Sequence, residues 1–420
     1  MQPLQLAAVV ASNVLQSYLL LIGMVDIAIS LTGLFWRKQR REEPSRQHRF
    51  ALIIPAHNEE NVVGCCLDSL NKLDYPKDKF DIFLVADHCT DATVRIAREH
   101  GAAVYEHVGS VRGKGFALKW VTAKILALER HDALCYFDAD ALAHPNFLNK
   151  INARLRPGVS ALQGRQISKN PNDGWIARML SVGLMISARF WHLPKEHLGL
   201  SAALHGKGMC FRPEVMREHQ WDGACLTEDL DMEMRLVRAG IRIRWVEDAV
   251  VYNEEPATVA AHMKRLLRWT RGGMQVARKH TAPLFLRAFR RLDPSALQAA
   301  IWCSLVFRPT WWMVAAMYLT HDSFHVSFWI FHHLPAVRPR VKFLVIMPLL
   351  QFPVLALYWE RAPWKSYLAY LLQPALGLFR IPVSIWSMFS PADDWYRTEH
   401  NSRVTIADLV PLKPAASEAD

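Results

Sequence analysis

The sequence predicts an α/β fold: one large, water-facing domain built on a doubly wound sheet, set between N- and C-terminal transmembrane helices. Three observations lead there. Charge is unevenly spread: residues 1–36 hold no Lys or Arg and a single acid, Asp26, residues 37–296 have the charge content of a globular domain, and residues 297–389 are again apolar and rich in Trp and Phe. Within the charged part, short apolar runs alternate with helical stretches. Acidic and polar residues cluster at the ends of those runs, where open α/β sheets collect their ligands.

The 420 residues are 51% hydrophobic and 21% charged, with 50 Lys+Arg against 39 Asp+Glu and a formal net charge of +11. That excludes a disordered or fibrous chain. The basic excess is scattered, with clusters at Arg37–Arg41, Lys264–Arg271 and Arg287–Arg291, and it suits anionic lipid headgroups better than nucleic acid, so no nucleic-acid partner is expected. Seven cysteines without a C-x-x-C pair argue against structural disulfides and a zinc site.

Residues 1–36 read as an N-terminal transmembrane helix, since Leu4 to Phe35 exceeds the ~20 residues that cross a bilayer. Trp36-Arg37-Lys38-Gln39-Arg40-Arg41 follows, and the positive-inside tendency places the next domain, residues 37–254, in the cytoplasm. Residues 255–296 form a basic amphipathic stretch expected at the membrane interface. The C-terminal membrane region, 297–389, has candidate spans at Leu297 to Leu319, Val341 to Trp359 and Tyr367 to Phe389, and a tail covers 390–420. The number of crossings, and so the side of the tail, stays open. The expected location is the cytoplasmic membrane, multi-pass, in contact with membrane lipids.

In the charged domain, Phe50 to Ile54 is an apolar run stopped by Pro55, with a helix expected from Val62 to Leu73 and a second strand from Phe80 to Val85. A helix from Thr90 to His100, a strand near Ala103 to Tyr105, a helix from Phe116 to Glu129 and a strand from Ala133 to Phe137 continue the rhythm. Strand ends then carry His57-Asn58-Glu59-Glu60, Asp87 and Asp138-Ala139-Asp140.

Four constellations carry chemistry. Asp138 and Asp140 put two hard oxygen donors at a strand end, the usual way to hold a divalent ion that also binds phosphate oxygens. Thr227-Glu228-Asp229 opens a helix from Leu230 to Ala239, where acids favour the positive dipole end even without a catalytic role. Arg112-Gly113-Lys114-Gly115 is a cationic turn suited to an anion. Arg265-Leu266-Leu267-Arg268-Trp269 lies in the basic amphipathic stretch.

With Pro55 to Glu60 and Val85 to Asp91, these motifs, in this order after a membrane helix, resemble the membrane-bound family 2 glycosyltransferases of GT-A fold, the group of cellulose, chitin and hyaluronan synthases. The likeness covers roughly residues 50–275. It implies an inverting, metal-dependent transfer of sugar from a nucleotide diphosphate sugar, UDP-linked, to a growing polysaccharide or oligosaccharide. It implies Ala56 and Glu59 near the nucleoside, Asp87 on the base or ribose, and Lys114 on donor phosphate. Asp140 becomes the direct ligand of Mg or Mn with Asp138 beside it and nearer the donor sugar, Asp229 the general base, and Arg268 and Trp269 neighbours of the diphosphate and acceptor. Polysaccharide-export subunits are the implied protein partners.

Two departures bear on the acceptor. Arg265 stands where the family's Q-x-x-R-W motif has Gln, and Ala86-Asp87-His88 replaces two successive acids. The first favours a non-processive enzyme that acts on a lipid acceptor, and a non-catalytic nucleotide-sugar-binding scaffold is the remaining alternative. His205-Gly206-Lys207-Gly208-Met209 is either an acceptor loop or a solvated turn.

Overall fold

A computed structural model describes residues 25–35, 46–304, 352–389, 400 and 402–410. One eight-stranded sheet organises them, in the order β3-β2-β1-β4-β7-β6-β8-β5. The strands are β1 (Phe50–Ala56), β2 (Phe80–Asp87), β3 (Ala103–His107), β4 (Ala133–Tyr136), β5 (Leu142–Ala143), β6 (Ala161–Ser168), β7 (Met209–Phe211) and β8 (Ile243–Asn253).

The first half is parallel, β1 pairing with β2 and β4, and β2 with β3. The parallel pairing expected of these early strands is present; beyond them the sheet is mixed, with β7 antiparallel to both β4 and β6, and β5 antiparallel to β8. Reversing β7 brings the loop before it, rather than the one after it, to the edge where the parallel strands end.

Pro55 does not stop β1, as the sequence suggested; it pairs with Val85 of β2. Ile53 is the last residue of β1 paired with β4, and its carbonyl accepts from Phe137 N at 3.0 Å. Alternation points Pro55 N to the same side, beyond that last pair, so the missing N–H costs no existing ladder bond.

The period-2 pattern divides each strand between two cores. Leu52, Ile54 and Leu84 pack against Val63, Cys66, Leu67 and Leu70 of α1 (Val63–Asn71), with α2 (Thr93–Glu99) also on that face. Ile53, Phe83 and Val85 face Leu118, Val121 and Ile125 of α3 (Lys114–Leu126). The helices α4 (Phe147–Arg154), α5 (Trp175–Ser187), α6 (Leu193–His197), α7 (Pro213–Glu218) and α8 (Glu228–Ala239) complete the domain.

Beyond the sheet lie α9 (Val259–Arg291), α10 (Pro294–Cys303), α11 (Leu355–Trp359), α12 (Trp364–Phe389) and a short α13 (Ile406–Leu409). Thr258 caps α9, its side chain accepting from Ala261 N. Met234 and Val237 of α8 pack with Val276 and Leu284 of α9 and Ala300 of α10, while Met179 and Val182 of α5 pack with Ala369 and Leu376 of α12.

Among the described residues no helix is long and apolar enough to cross a membrane. Most of the expected first span and most or all of those at 297–319 and 341–359 fall outside the described residues, as does most of the tail. The third expected C-terminal span is the helix α12, within which Pro374 and Pro382 lie.

Candidate active site

All nine residues singled out from the sequence line one cavity of about 1290 Å³: Ala56, Glu59, Asp87, Lys114, Asp138, Asp140, Asp229, Arg268 and Trp269. β1, β2 and β4 deliver the first acids at their carboxyl ends, α3 brings Lys114 at its first turn, and α8 brings Asp229 at its own.

The centre is a charge lattice. Lys114 Nζ lies 2.7 Å from Asp138 Oδ1 and 2.8 Å from Glu228 Oε1. Burial disfavours its charge, yet the carboxylates of Asp138, Glu228 and Asp229 hold the ammonium well above the ordinary lysine range. Asp138 Oδ2 and Asp140 Oδ2 share Lys207 Nζ at 3.5 and 3.8 Å. Asp140 is buried, and although burial opposes its ionisation, Lys207, His400 and Lys169 hold it well below the usual carboxylate range.

Asp229 moves the other way, pushed up to about 6 by burial and by Glu228 against the pull of Lys114. Its Oδ1 accepts from Leu230 N at 2.8 Å. The start of α8 is held by close packing: a Cβ on Gly272 of α9 would come within 2.5 Å of Thr227 Cγ2. The dipole-end reading of Glu228 and Asp229 therefore holds alongside a place in the cavity, since Glu228 is also a partner of Lys114.

The loop before β7 is not a solvated turn. His205 N donates to Gln163 Oε1 (3.1 Å), and the carbonyls of His205 and Lys207 accept from Gln166 Nε2 and Gln163 Nε2 (3.0 and 2.9 Å). Gly206 has φ +77°, and a Cβ there would stand 3.3 Å from Asp229 Oδ2, 3.4 Å from Lys114 Nζ and 3.8 Å from Asp138 Oδ2. Only glycine fits that backbone comfortably, and it leaves space where Asp229, Lys114 and Asp138 converge.

Asp87 is spent on protein. Its Oδ1 meets His88 Nδ1 (2.7 Å) and His107 Nδ1 (2.8 Å), and its Oδ2 accepts from Gly113 N at 3.0 Å. Burial opposes ionisation here too, but these hydrogen bonds keep the carboxyl below its ordinary range. The side chain thus ties the Arg112–Lys114 turn to β2. Ligand atoms of Asp87, His88 and His107 lie within 4.8 Å of one another, a grouping a metal could use, although the imidazoles bond the carboxylate directly.

Four residues were missed in the sequence. Lys169, its side chain fully buried, donates to Asp140 O (2.9 Å) and pairs with Glu254 Oε2 (3.2 Å). Glu254 accepts from Ser402 N, and His400 sets Nδ1 3.3 Å from Glu59 Oε2 and Nε2 4.0 Å from Asp140 Oδ2. The tail thus closes one wall. Of these, only the Glu254-Glu255 pair at the end of β8 carries a sequence signal.

The donors fit a divalent cation. Asp138 and Asp140 offer carboxylate oxygens, which suit Mg²⁺ or Mn²⁺, and Lys207 already shows that the two carboxylates can share one cation, with His400 beside Asp140. On α9, Arg268 forms no ion pair among the described residues and its Nε is buried without a partner, so its charge faces the cavity. Arg265 pairs with Glu255 and lies 4.6 Å over the Trp269 ring.

The probable glycosyltransferase YdaM of Bacillus subtilis is 26% identical over 268 residues, 61% of this chain and 62% of that protein. The beta-monoglucosyldiacylglycerol synthase of Synechocystis sp. is 27% identical over 232 residues, 53% of this chain and 47% of that protein. The match thus spans about half to three-fifths of these relatives' length. The structure of the mannosyltransferase PcManGT of Pyrobaculum calidifontis, a complex with GDP-Man and Mn²⁺, superposes with a TM-score of 0.55 at 18% identity, over 89% of this chain and 99% of that one, a likeness of fold. The model of the family described as glycosyltransferase like family 2 matches residues 48–272, more than half of the chain, and the chain belongs to that family.

Proposed function

We propose that this enzyme transfers a sugar from a nucleoside diphosphate sugar, UDP-linked, to an acceptor hydroxyl with inversion at the anomeric carbon. The observation that carries the reading is the convergence of Asp229, Lys114 and Asp138 around Gly206.

An acceptor hydroxyl is a poor nucleophile until a carboxylate takes its proton, and Asp229, raised toward neutrality, is placed to do so. Lys114 and Arg268 stabilise the charge that grows on the leaving diphosphate. A divalent ion held by Asp138 and Asp140 would supply further charge neutralisation. Asp87 holds the cationic turn in place. A single displacement by the hydroxyl inverts the anomeric centre.

The setting is a membrane surface, with this domain on the cytoplasmic side. Supporting it, α9 and the residue that follows it expose Leu286, Phe289 and Leu292 close to Arg287, Arg290 and Arg291, and α12 exposes Trp364, Leu368 and Leu371 on one face. A processive polymerase is the less favoured acceptor mode: Arg265 is committed to Glu255 and to one face of Trp269, which takes both from a sugar chain.

The test is incorporation from a panel of labelled UDP- and GDP-sugars by membranes holding the full chain with Mn²⁺, beside Asp229→Asn. Label that vanishes in the variant, joined in the inverted configuration by NMR coupling constants, supports the reading. A retained anomeric centre, or label undiminished in Asp229→Asn, overturns it.

A further inference from the structure

The cavity is two-sided. Its polar side holds the groups described above; its other side is walled by Met179 and Leu184 of α5, Leu266 and Met274 of α9 and Leu376 of α12. At about 1290 Å³ it exceeds the usual ~300–1,000 Å³ of a small-molecule pocket. The donor's phosphates and sugar belong with the cations and acids. The apolar wall is left for something else.

Two glycines line that wall where the backbone does not require glycine. Gly183 lies inside α5 and Gly273 inside α9, where glycine costs about 1 kcal/mol against alanine. Neither has a positive φ, and a Cβ on Gly273 would meet nothing within 4 Å, while one on Gly183 would meet only Gln373 Nε2 at 4.0 Å. Compare Gly272, the next residue to Gly273, where a Cβ would strike Thr227. The missing side chain at 273 therefore leaves open space in the cavity, while the one at 183 leaves room beside Gln373, whose Nε2 donates to Met179 O.

We propose that this apolar side seats the hydrocarbon of a membrane lipid whose head carries a free hydroxyl, and that this hydroxyl is the acceptor. The inference rests on the reading of the site as a glycosyltransferase centre. Met179, Leu184, Leu266, Met274 and Leu376 offer the aliphatic contact that a hydrocarbon requires and a saccharide chain does not. Two of the helices that bear them, α9 and α12, also carry the exposed apolar and basic residues that suit a bilayer. The head is a hydroxyl because Asp229 stands at the convergence point, placed to take a proton that a hydroxyl must lose and a phosphate head does not need to. In the step, the lipid oxygen bonds to the sugar's anomeric carbon and the bond from that carbon to the diphosphate oxygen breaks. The electron pair leaves with the nucleoside diphosphate, and the hydroxyl proton passes to Asp229.

The experiment uses the full chain in detergent micelles with dioleoylglycerol bearing a photoreactive group in one acyl chain. Gly183→Leu and Gly273→Leu fill the wall with a good helix former; the melting temperature of Gly273→Leu is expected at or above that of the parent, and that of Gly183→Leu shows whether Gln373 adjusts. Gly183→Ala is the milder third variant. The expected result is a crosslink reduced at least tenfold in both folded leucine variants and unchanged in Asp229→Asn, with sugar label from the donor panel entering dioleoylglycerol. A crosslink unaffected by both leucines overturns the lipid seat. Label found on cello-oligosaccharides or on undecaprenyl phosphate, and not on dioleoylglycerol, overturns the hydroxyl-lipid acceptor while the transferase reading stands. A crosslink lost as expected, with no sugar transferred to any acceptor, overturns the acceptor role through the failure of the transferase reading itself.

Discussion

His400 meets Glu59 across 341 positions of chain, Nδ1 to Oε2 at 3.3 Å, and so joins the tail to the end of β1. The contact places an imidazole beside Asp140 and makes the tail part of the site.

Replacing His400 with Ala should therefore raise the Mn²⁺ concentration for half-maximal transfer on the order of tenfold, the range seen when a group at a metal site is lost. Metal titration of transfer activity checks this. Limited proteolysis checks the second consequence, faster cleavage within 402–410.

Activity should fall on the acid side of about pH 6, because Asp229 must be ionised to accept a proton. Below that pH, kcat/KM should drop about tenfold per unit, with a plateau above. A pH profile at saturating metal checks the position of the bend.

Asp229→Asn should cost on the order of 10²–10⁴ in kcat while stabilising the fold. A carboxyl whose pKa is raised in the native state opposes folding once pH exceeds its unfolded value of 3.8, and fully so above about 6. The variant's gain, on the order of 1 kcal/mol after discounting for solvent, should be present at pH 8 and absent below pH ~4. Urea unfolding at both values measures it.

Lys114→Met leaves Glu228 and Asp138 without their shared cation. Loss of stability on the order of 1–3 kcal/mol is expected, less than for a fully buried pair because the ammonium is partly exposed. Weaker donor binding should accompany it, and calorimetric titration with UDP separates the two effects.

Arg265 and Glu255 should couple in a double-mutant cycle. Arg265→Gln alone strands a buried carboxylate and should destabilise by about 1–3 kcal/mol, whereas adding Glu255→Gln should restore much of the loss. Thermal unfolding of the four proteins is the measurement.

The early strands were legible because β1, β2 and β4 are buried on both faces and read as unbroken apolar runs. Lys114 and Asp229 were legible because each opens a helix in a motif whose order in the chain is informative. β7 was not: three residues, Met209–Phe211, are too few to show a period, and nothing local records that they run antiparallel. Lys169 and His400 were hidden for a different reason. A single Lys or His gains its meaning from partners far off in sequence, and no spacing announces them.

Pro55 has a further consequence. In the register of β1 and β4, the next rung would be an N–H from position 55 to the carbonyl of Phe137. Proline cannot make it. The two strands therefore cannot zip one step further, and the chain beyond Phe137 stays released to turn out as Asp138-Ala139-Asp140. A valine at 55 would favour a longer ladder and draw Asp138 toward the sheet. The imino ring acts as a wedge at the fork of two strands, giving up one rung of cohesion to keep the ligand-facing end of the sheet open.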